Sequence, residues 1–220
     1  MWPGRSERFD HHAVTDRGNI AGLVLAGGAS RRMGGDNKAL IALGDRPLIA
    51  HVIERLAPQV EYLAISANRD ADRLGVFGLP ILADRDPRLL GPLAGILAGM
   101  EWAADRGCLT IVTAAADTPF PPRDLVQRLA ADSDASHSQI AIAVSGGRPH
   151  PVFALWPVSL RGALERHLAE SDDRSVMGFA GTHGMRRVEF AAEDGHAPFF
   201  NVNTPDELDQ ARRMLEDNVP

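Results

Sequence analysis

Leu23-Val24-Leu25-Ala26-Gly27-Gly28-Ala29-Ser30-Arg31-Arg32-Met33-Gly34-Gly35-Asp36-Asn37-Lys38 joins an apolar strand to a glycine-rich, cationic loop. The strand expectation runs from Ile20 to Ala26, with an unbroken apolar run from Leu23. Glycines placed after such a strand take positive φ readily and let backbone N–H groups approach an anion closely. Amides from Ala26 to Ser30 can hold phosphate oxygens, while Arg31, Arg32 or Lys38 neutralise charge on a departing phosphate group. The loop lacks the Gly-Lys-Ser/Thr of a P-loop, and its adjacent Gly27 and Gly28 break the dinucleotide G-x-G-x-x-G spacing. A glycine-rich turn with solvated arginines is the competing reading.

Downstream, apolar residues at Leu48, Ile49, Val52, Ile53 and Leu56 predict a helix over Pro47 to Ala57, opened by a first-turn proline. Val60 to Ala67 and Leu79 to Ala83 read as strands, and Gly91-Pro92 starts a helix running to about Asp105. Leu109 to Ala114 is β-branched and apolar throughout, which places it centrally in a sheet covered on both faces. A helix over Pro122 to Ala131 follows, then strands Gln139 to Ser145 and Val152 to Trp156 around a turn from Gly146 to Pro151. Helices over Ser159 to Ala169 and Arg174 to Ala180, a strand near Val188 and a helix over Pro205 to Leu215 complete the series. Strands alternating with helices predict an α/β chain: a three-layer α/β/α sandwich on a mostly parallel, mixed sheet. Ligands of such sheets bind beyond the carboxyl ends of the strands, where the loop, Asp84 and Asp117 are expected to converge.

Composition narrows the partners. The 220 residues suit one domain over 20–220, with the polar, aperiodic residues 1–19 as a flexible extension in which His11 and His12 read as solvated. A net charge of -6, from 23 basic and 29 acidic side chains, argues against a nucleic-acid surface. A local cationic loop in an acidic chain points instead to a small anionic ligand. No apolar run reaches the ~18 to 20 residues of a membrane span, and the N-terminus has no signal-like apolar stretch. The lone Cys108 fits a reducing compartment, so a cytoplasmic protein is expected, with Cys108 as an apolar space-filler.

Asp117 follows the most strand-like run and precedes Pro119. A carboxylate there can hold Mg²⁺ against phosphates or cap a following helix. Asp84 reads either as a ligand contact or as part of a solvated Asp84-Arg85-Asp86 turn. Thr204, Pro205 and Glu207 fit a capping box. Asn201 and Asn203, at i and i+2 in an extended segment, point the same way and can both meet a polar ligand, though asparagine is also a common turn residue. His150, between Pro149 and Pro151, reads as a ligand contact or a structural turn residue.

Leu25-Ala26-Gly27-Gly28-Ala29-Ser30-Arg31-Arg32-Met33-Gly34 with Lys38, then Asp84, Gly91-Pro92-Leu93-Ala94-Gly95, Asp117-Thr118-Pro119 and Asn201-Val202-Asn203-Thr204-Pro205 together resemble the molybdenum cofactor guanylyltransferase (MobA) family over residues 20 to 216. The resemblance implies a Rossmann-like nucleotidyltransferase that moves GMP from GTP to the phosphate of the molybdopterin cofactor and releases pyrophosphate. It implies nucleotide binding by Leu25, Ala26, Gly27, Gly28, Lys38, Asp84 and Asp117, with Arg32 and Lys38 on the phosphates. Asp117 would bind Mg²⁺, and Arg32, Lys38 and Asp117 would be the catalytic residues. Asn201 and Asn203 would lie by the pterin substrate or the transferred phosphate. Delivery and acceptor proteins for the molybdenum cofactor are the implied protein partners. Two departures stand out. The family's Asp-Lys reads Asn37-Lys38, with Asp36 one place earlier; and Ser66 stands where some members carry asparagine, which leaves a base or ribose contact to Ser66 or Asn68. The alternatives are a cytidylyl- or sugar-phosphate-directed member of the superfamily, or a non-catalytic carrier of the cofactor.

Overall fold

The computed structural model describes residues 20–27, 37–85, 91–131, 139–192 and 197–217. The expected extension over 1–19 lies outside the described residues, as does the loop from Gly28 to Asp36, with Arg31 and Arg32. The chain runs β1 (Ile20–Leu25), β2 (Ala42–Leu43), β3 (Arg46–Pro47), α1 (Leu48–Leu56), β4 (Tyr62–Ser66), α2 (Ala71–Leu74), β5 (Ile81–Leu82) and α3 (Pro92–Ala104). It continues β6 (Thr110–Ala115), α4 (Leu125–Ala130), β7 (Ile140–Ser145), β8 (Arg148–Pro157), α5 (Arg161–Glu170), α6 (Val176–Thr182), β9 (Met185–Glu189) and α7 (Pro205–Asp217).

Seven strands form one sheet in the order β5-β4-β1-β6-β8-β7-β9, and β2 and β3 pair apart from it. The pairs β5–β4, β4–β1, β1–β6 and β7–β9 are parallel, whereas β8 runs antiparallel to both β6 and β7. The sheet is therefore mixed and mostly parallel, as expected, with β6 at its centre. Side chains alternate between the faces with the period of 2 that a strand imposes. Val24, Val112, Ala141 and Leu155 meet α1 and α4 on one face; Leu23, Ile111, Ile142 and Trp156 meet α3, α5 and α6 on the other. A third, smaller core joins α7 to the β2–β3 hairpin through Leu43, Leu48, Val202, Leu208, Ala211 and Met214. Among the described residues no helix is long and apolar enough to cross a membrane.

Several boundaries differ from the expectation, each for a local reason. Pro47 closes β3 with extended backbone, ψ 157°, and stands before α1 instead of inside it. The helix expected from Pro122 begins at Leu125, because the chain first crosses to α1: Pro121 and Pro122 carbonyls accept from Arg55 and Gln59. The turn expected from Gly146 to Pro151 is just Gly146-Gly147, both with positive φ, in the two-residue form that matches strand twist. Arg148 onward is strand, and its register shifts from Ala143↔His150 to Ile142↔Ala154, so β8 bulges over Pro151 to Phe153. A bulge tolerates a proline that cannot donate to a ladder.

Helix α3 crosses the sheet through two glycines. A Cβ on Gly99 would lie 2.6 Å from Leu23 Cδ2 and 2.8 Å from Ile111 Cδ1, and one on Gly95 would lie 2.3 Å from Ser66 Oγ. The close approach brings the start of α3 against the ends of β1 and β4.

Gly99→Val is expected to destabilise the chain by about 2 kcal/mol through overpacking, measured by urea unfolding. Cys108, buried behind α3, has its thiol pushed up to about 11, first by burial and then by Glu61. Between its ordinary value of 9.0 and about 11 the folded chain keeps a proton that the unfolded chain releases, so stability falls as pH rises through that window. A disulfide reagent at pH 8 should leave Cys108 unlabelled until denaturant is added.

Candidate active site

The parallel strands β5, β4, β1 and β6 deliver their following loops to one edge of the sheet. Past the last ladder residues the strand ends stay laced: Ala26 N–H donates to the Ser66 carbonyl at 2.9 Å, and Ala116 N–H to the Leu25 carbonyl at 3.0 Å. This brings Leu25, Ala26, Ser66 and Asp117 to the same edge, with Gly27 exposed just beyond.

Lys38 arrives there on a short 3₁₀ turn, Lys38 to Leu40, whose start is capped by Asn37: its Oδ1 accepts the Ala39 N–H at 3.1 Å. Asparagine and aspartate both offer that oxygen, so Asn37 keeps the local geometry despite the missing family carboxylate. Asn201 and Asn203 arrive from the opposite side of the chain. Between them Val202 is fully buried and its N–H donates to the Asp117 carbonyl at 2.9 Å, so the two asparagines face outward together. The Lys38 ammonium draws the group into one cluster, donating to Asp117 Oδ2 at 2.6 Å, Asn201 Oδ1 at 3.2 Å and Asn203 Oδ1 at 2.5 Å. The Lys38 and Asp117 side chains are 12% and 25% exposed, which leaves the charges partly desolvated yet reachable.

Two alternative readings resolve here. Asp117 caps no helix, since α4 starts after Asp124, and its carboxylate instead accepts from Lys38 and from Thr118 Oγ1. Thr204 does cap: its Oγ1 accepts the Glu207 N–H at 3.2 Å, and Glu207 Oε2 accepts from the Asn203 N–H at 2.6 Å, one residue earlier than the usual box partner. Capping thus holds Asn203 in place as well as starting α7.

Asp84 does not join Asp117, which corrects the expected convergence. β5 stands at the sheet margin with β4 and β1 between it and β6, so the strands that lead to the two carboxylates are three strand spacings, about 14 Å, apart. Asp84 pairs with Asn68 in a closed ring: Asn68 Nδ2 donates to Asp84 Oδ2 at 2.7 Å, and Asp84 N–H donates to Asn68 Oδ1 at 2.8 Å. Next to it Arg85 grips Glu101 of α3 at 2.8 Å, tying the end of β5 to that helix. Ser66 lies buried between this pair and β1, against Gly95. The edge therefore carries two polar stations, Asn68-Asp84 and Lys38-Asp117-Asn201-Asn203, with Leu25 to Gly27 between them.

Gly28 and Arg32, both expected at the site, lie outside the described residues. His150 takes the structural role: its Nε2 meets Ser145 Oγ at 2.8 Å and its ring packs on Phe199 at 4.6 Å. Burial, then Arg148, lowers its pKa, so it stays neutral. Phe199, unremarked in the sequence, is gripped by His150, Phe153 and Phe190 and so anchors the strap that carries Asn201 and Asn203. Gly95 was also missed as a packing residue; its signal is the Gly95-x-x-x-Gly99 spacing within a helix.

The cluster offers one carboxylate and two amide oxygens converging on one cationic centre, a donor set suited to a hard cation. Among the described residues no group of three or more His, Cys, Asp or Glu is gathered, so a metal here would share its shell with phosphate oxygens.

Residues 22–187 match the model of the MobA-like NTP transferase domain. The chain belongs to the MobA-like NTP transferase family. Among MobA-like relatives, the molybdenum cofactor guanylyltransferase of Mesorhizobium japonicum is 52% identical over 203 residues, spanning 91% of this chain and 98% of the relative. That of Cereibacter sphaeroides is 50% identical over 196 residues, 89% and 97% of the two chains. The fold is shared with molybdopterin-guanine dinucleotide biosynthesis protein A from Archaeoglobus fulgidus, with TM-score 0.72, 24% identity and coverage of 90% and 99%. It is also shared with a CMP:2-keto-3-deoxy-manno-octonic acid synthetase, with TM-score 0.69, 17% identity and coverage of 91% and 100%.

Asp84→Ala removes one side of the Asn68 ring while leaving Asp117 and Lys38 untouched. It is expected to raise the KM for the nucleoside triphosphate about tenfold with a smaller change in kcat, read from steady-state pyrophosphate release.

Proposed function

We propose that this MobA-like NTP transferase carries GMP from GTP to the phosphate of the molybdenum-molybdopterin cofactor, forming the guanine dinucleotide and pyrophosphate. The observation that carries the reading is the Lys38-Asp117-Asn201-Asn203 cluster at the carboxyl edge of β1 and β6, in a chain half identical to relatives named as guanylyltransferases. We take residues 20–220 as the transferase unit. The same reading puts the reaction in the cytoplasm, where the lone Cys108 stays reduced, and leaves the proteins that deliver and collect the cofactor as partners.

An oxygen of the acceptor phosphate attacks the α-phosphorus of GTP in line. A P–O bond forms there as the bond to the bridging oxygen of the β-phosphate breaks, and pyrophosphate leaves with the electron pair. Asp117 would hold Mg²⁺, which when bound would screen the negative charges that must approach one another. Lys38, together with Arg32 and the amides of the loop from Gly27 onward, donates to the departing phosphates, which stabilises charge as it develops; the Ala26 N–H is taken by the Ser66 carbonyl. Asn68 and Asp84 face the nucleoside; of the two candidates for the contact made elsewhere by asparagine, Asn68 fits, since Ser66 is buried with its hydroxyl against Gly95. Asn201 and Asn203 orient the acceptor phosphate beside Asp117. Positioning supplies the remainder of the rate, since no covalent intermediate is required.

Asp117→Ala should leave the unfolding transition near its wild-type position while lowering turnover with Mg²⁺ by about a hundredfold or more. Near-normal activity would remove Asp117 from the metal site. A pyrophosphate-release assay with molybdopterin cofactor as acceptor and GTP, CTP or ATP as donor tests the substrate: release with GTP is expected, release with CTP alone would mark a cytidylyltransferase, and release with none a carrier.

A further inference from the structure

Lys38 Nζ occupies the point on which Asp117 Oδ2, Asn201 Oδ1 and Asn203 Oδ1 converge, at 2.6, 3.2 and 2.5 Å. We propose that Lys38 and the divalent cation exclude one another at this oxygen cluster, so that the metal enters once nucleotide phosphates have drawn the lysine away. The inference rests on the metal role given to Asp117 above and adds an order of binding to it.

The charge balance supports exclusion. Asp117 is the one carboxylate among the four side chains, and the amides of Asn201 and Asn203 contribute dipoles without net charge. With the ammonium in place the cluster sums to zero and holds no charge attractive to a dication. Moving the ammonium outward restores the negative charge of Asp117 and frees all three oxygens. A triphosphate does both things at once: it offers Lys38 stronger anionic partners and adds oxygens that a hard cation prefers.

The local build permits the movement. The backbone of Lys38 is held by the Asn37 cap and by Ile41 N–H donating to the Lys38 carbonyl at 3.1 Å, while four methylenes separate that root from the charge. The head can therefore exchange Asp117 for a phosphate without rearrangement of the 3₁₀ turn. The oxygens sit on shorter side chains than the ammonium, on backbone tied by the Val202 N–H donating to the Asp117 carbonyl and the Asn203 N–H donating to Glu207. Short acceptor side chains facing one long, flexible donor make an arrangement in which the donor gives way.

The test is Mn²⁺ binding without nucleotide, followed by loss of the free-ion electron paramagnetic resonance signal. Lys38→Met and Lys38→Gln are expected to bind Mn²⁺ about tenfold tighter than wild type, the scale of one charged hydrogen bond, and Lys38→Arg to stay near wild type. No gain in the neutral variants, with Asp117→Ala still inactive, overturns the exclusion and leaves the metal assignment standing. A gain that persists in Lys38→Met/Asp117→Asn overturns both, since the cation then sits away from Asp117. In the wild-type chain, acetylation of Lys38 by an amine-reactive ester, read by peptide mass spectrometry, should quicken severalfold under saturating Mn²⁺. An unchanged rate overturns the proposal.

Discussion

Everything at the functional edge depends on how close α3 lies to β1 and β4. Gly95 and Gly99 remove the side chains that would hold the helix off, and Leu23, Ile111 and Ser66 fill the space instead. The sheet can then bring β1, β4 and β6 side by side in register, Leu25 opposite both Ser66 and Ala115, so that three loops emerge together. The Arg85–Glu101 pair extends the same tie to the end of β5. Packing of apolar and small residues thus sets the spacing between the Asn68-Asp84 pair and the Lys38 cluster.

Against that scaffold the electrostatics are spare. A single ammonium gathers a carboxylate and two amides, and each partner is held from behind by a backbone bond or a cap. The cluster can be dense in oxygen without being dense in charge, which keeps its desolvation cost low. The second station, Asn68 with Asp84, is a closed pair at the margin of the same edge. Two stations on strands about 14 Å apart suit an elongated ligand better than a compact anion.

Much of this was legible in order along the chain. The unbroken apolar run before Gly27 and the β-branched run before Asp117 could be read as central strands, because a strand covered on both faces has no polar alternation. The i, i+2 spacing of Asn201 and Asn203 foretold their shared direction, and Thr204 with Glu207 foretold the cap. Boundaries slipped where tertiary contacts overrode local preference. Pro122 was drawn to the turn after α1 by Gln59 instead of starting a helix, and the strand from Arg148 ran past Pro151 by bulging there.

The residues alone settled the α/β class and the family, since these rest on periodicity and on local spacing. The folded chain decided which polar groups meet. Strand order is written in no local stretch: it placed β5 two strands from β1, separating Asp84 from Asp117, and it brought Lys38 across 163 residues to Asn201. Contacts of that range depend on how sheet and helices pack, and packing is a property of the whole core.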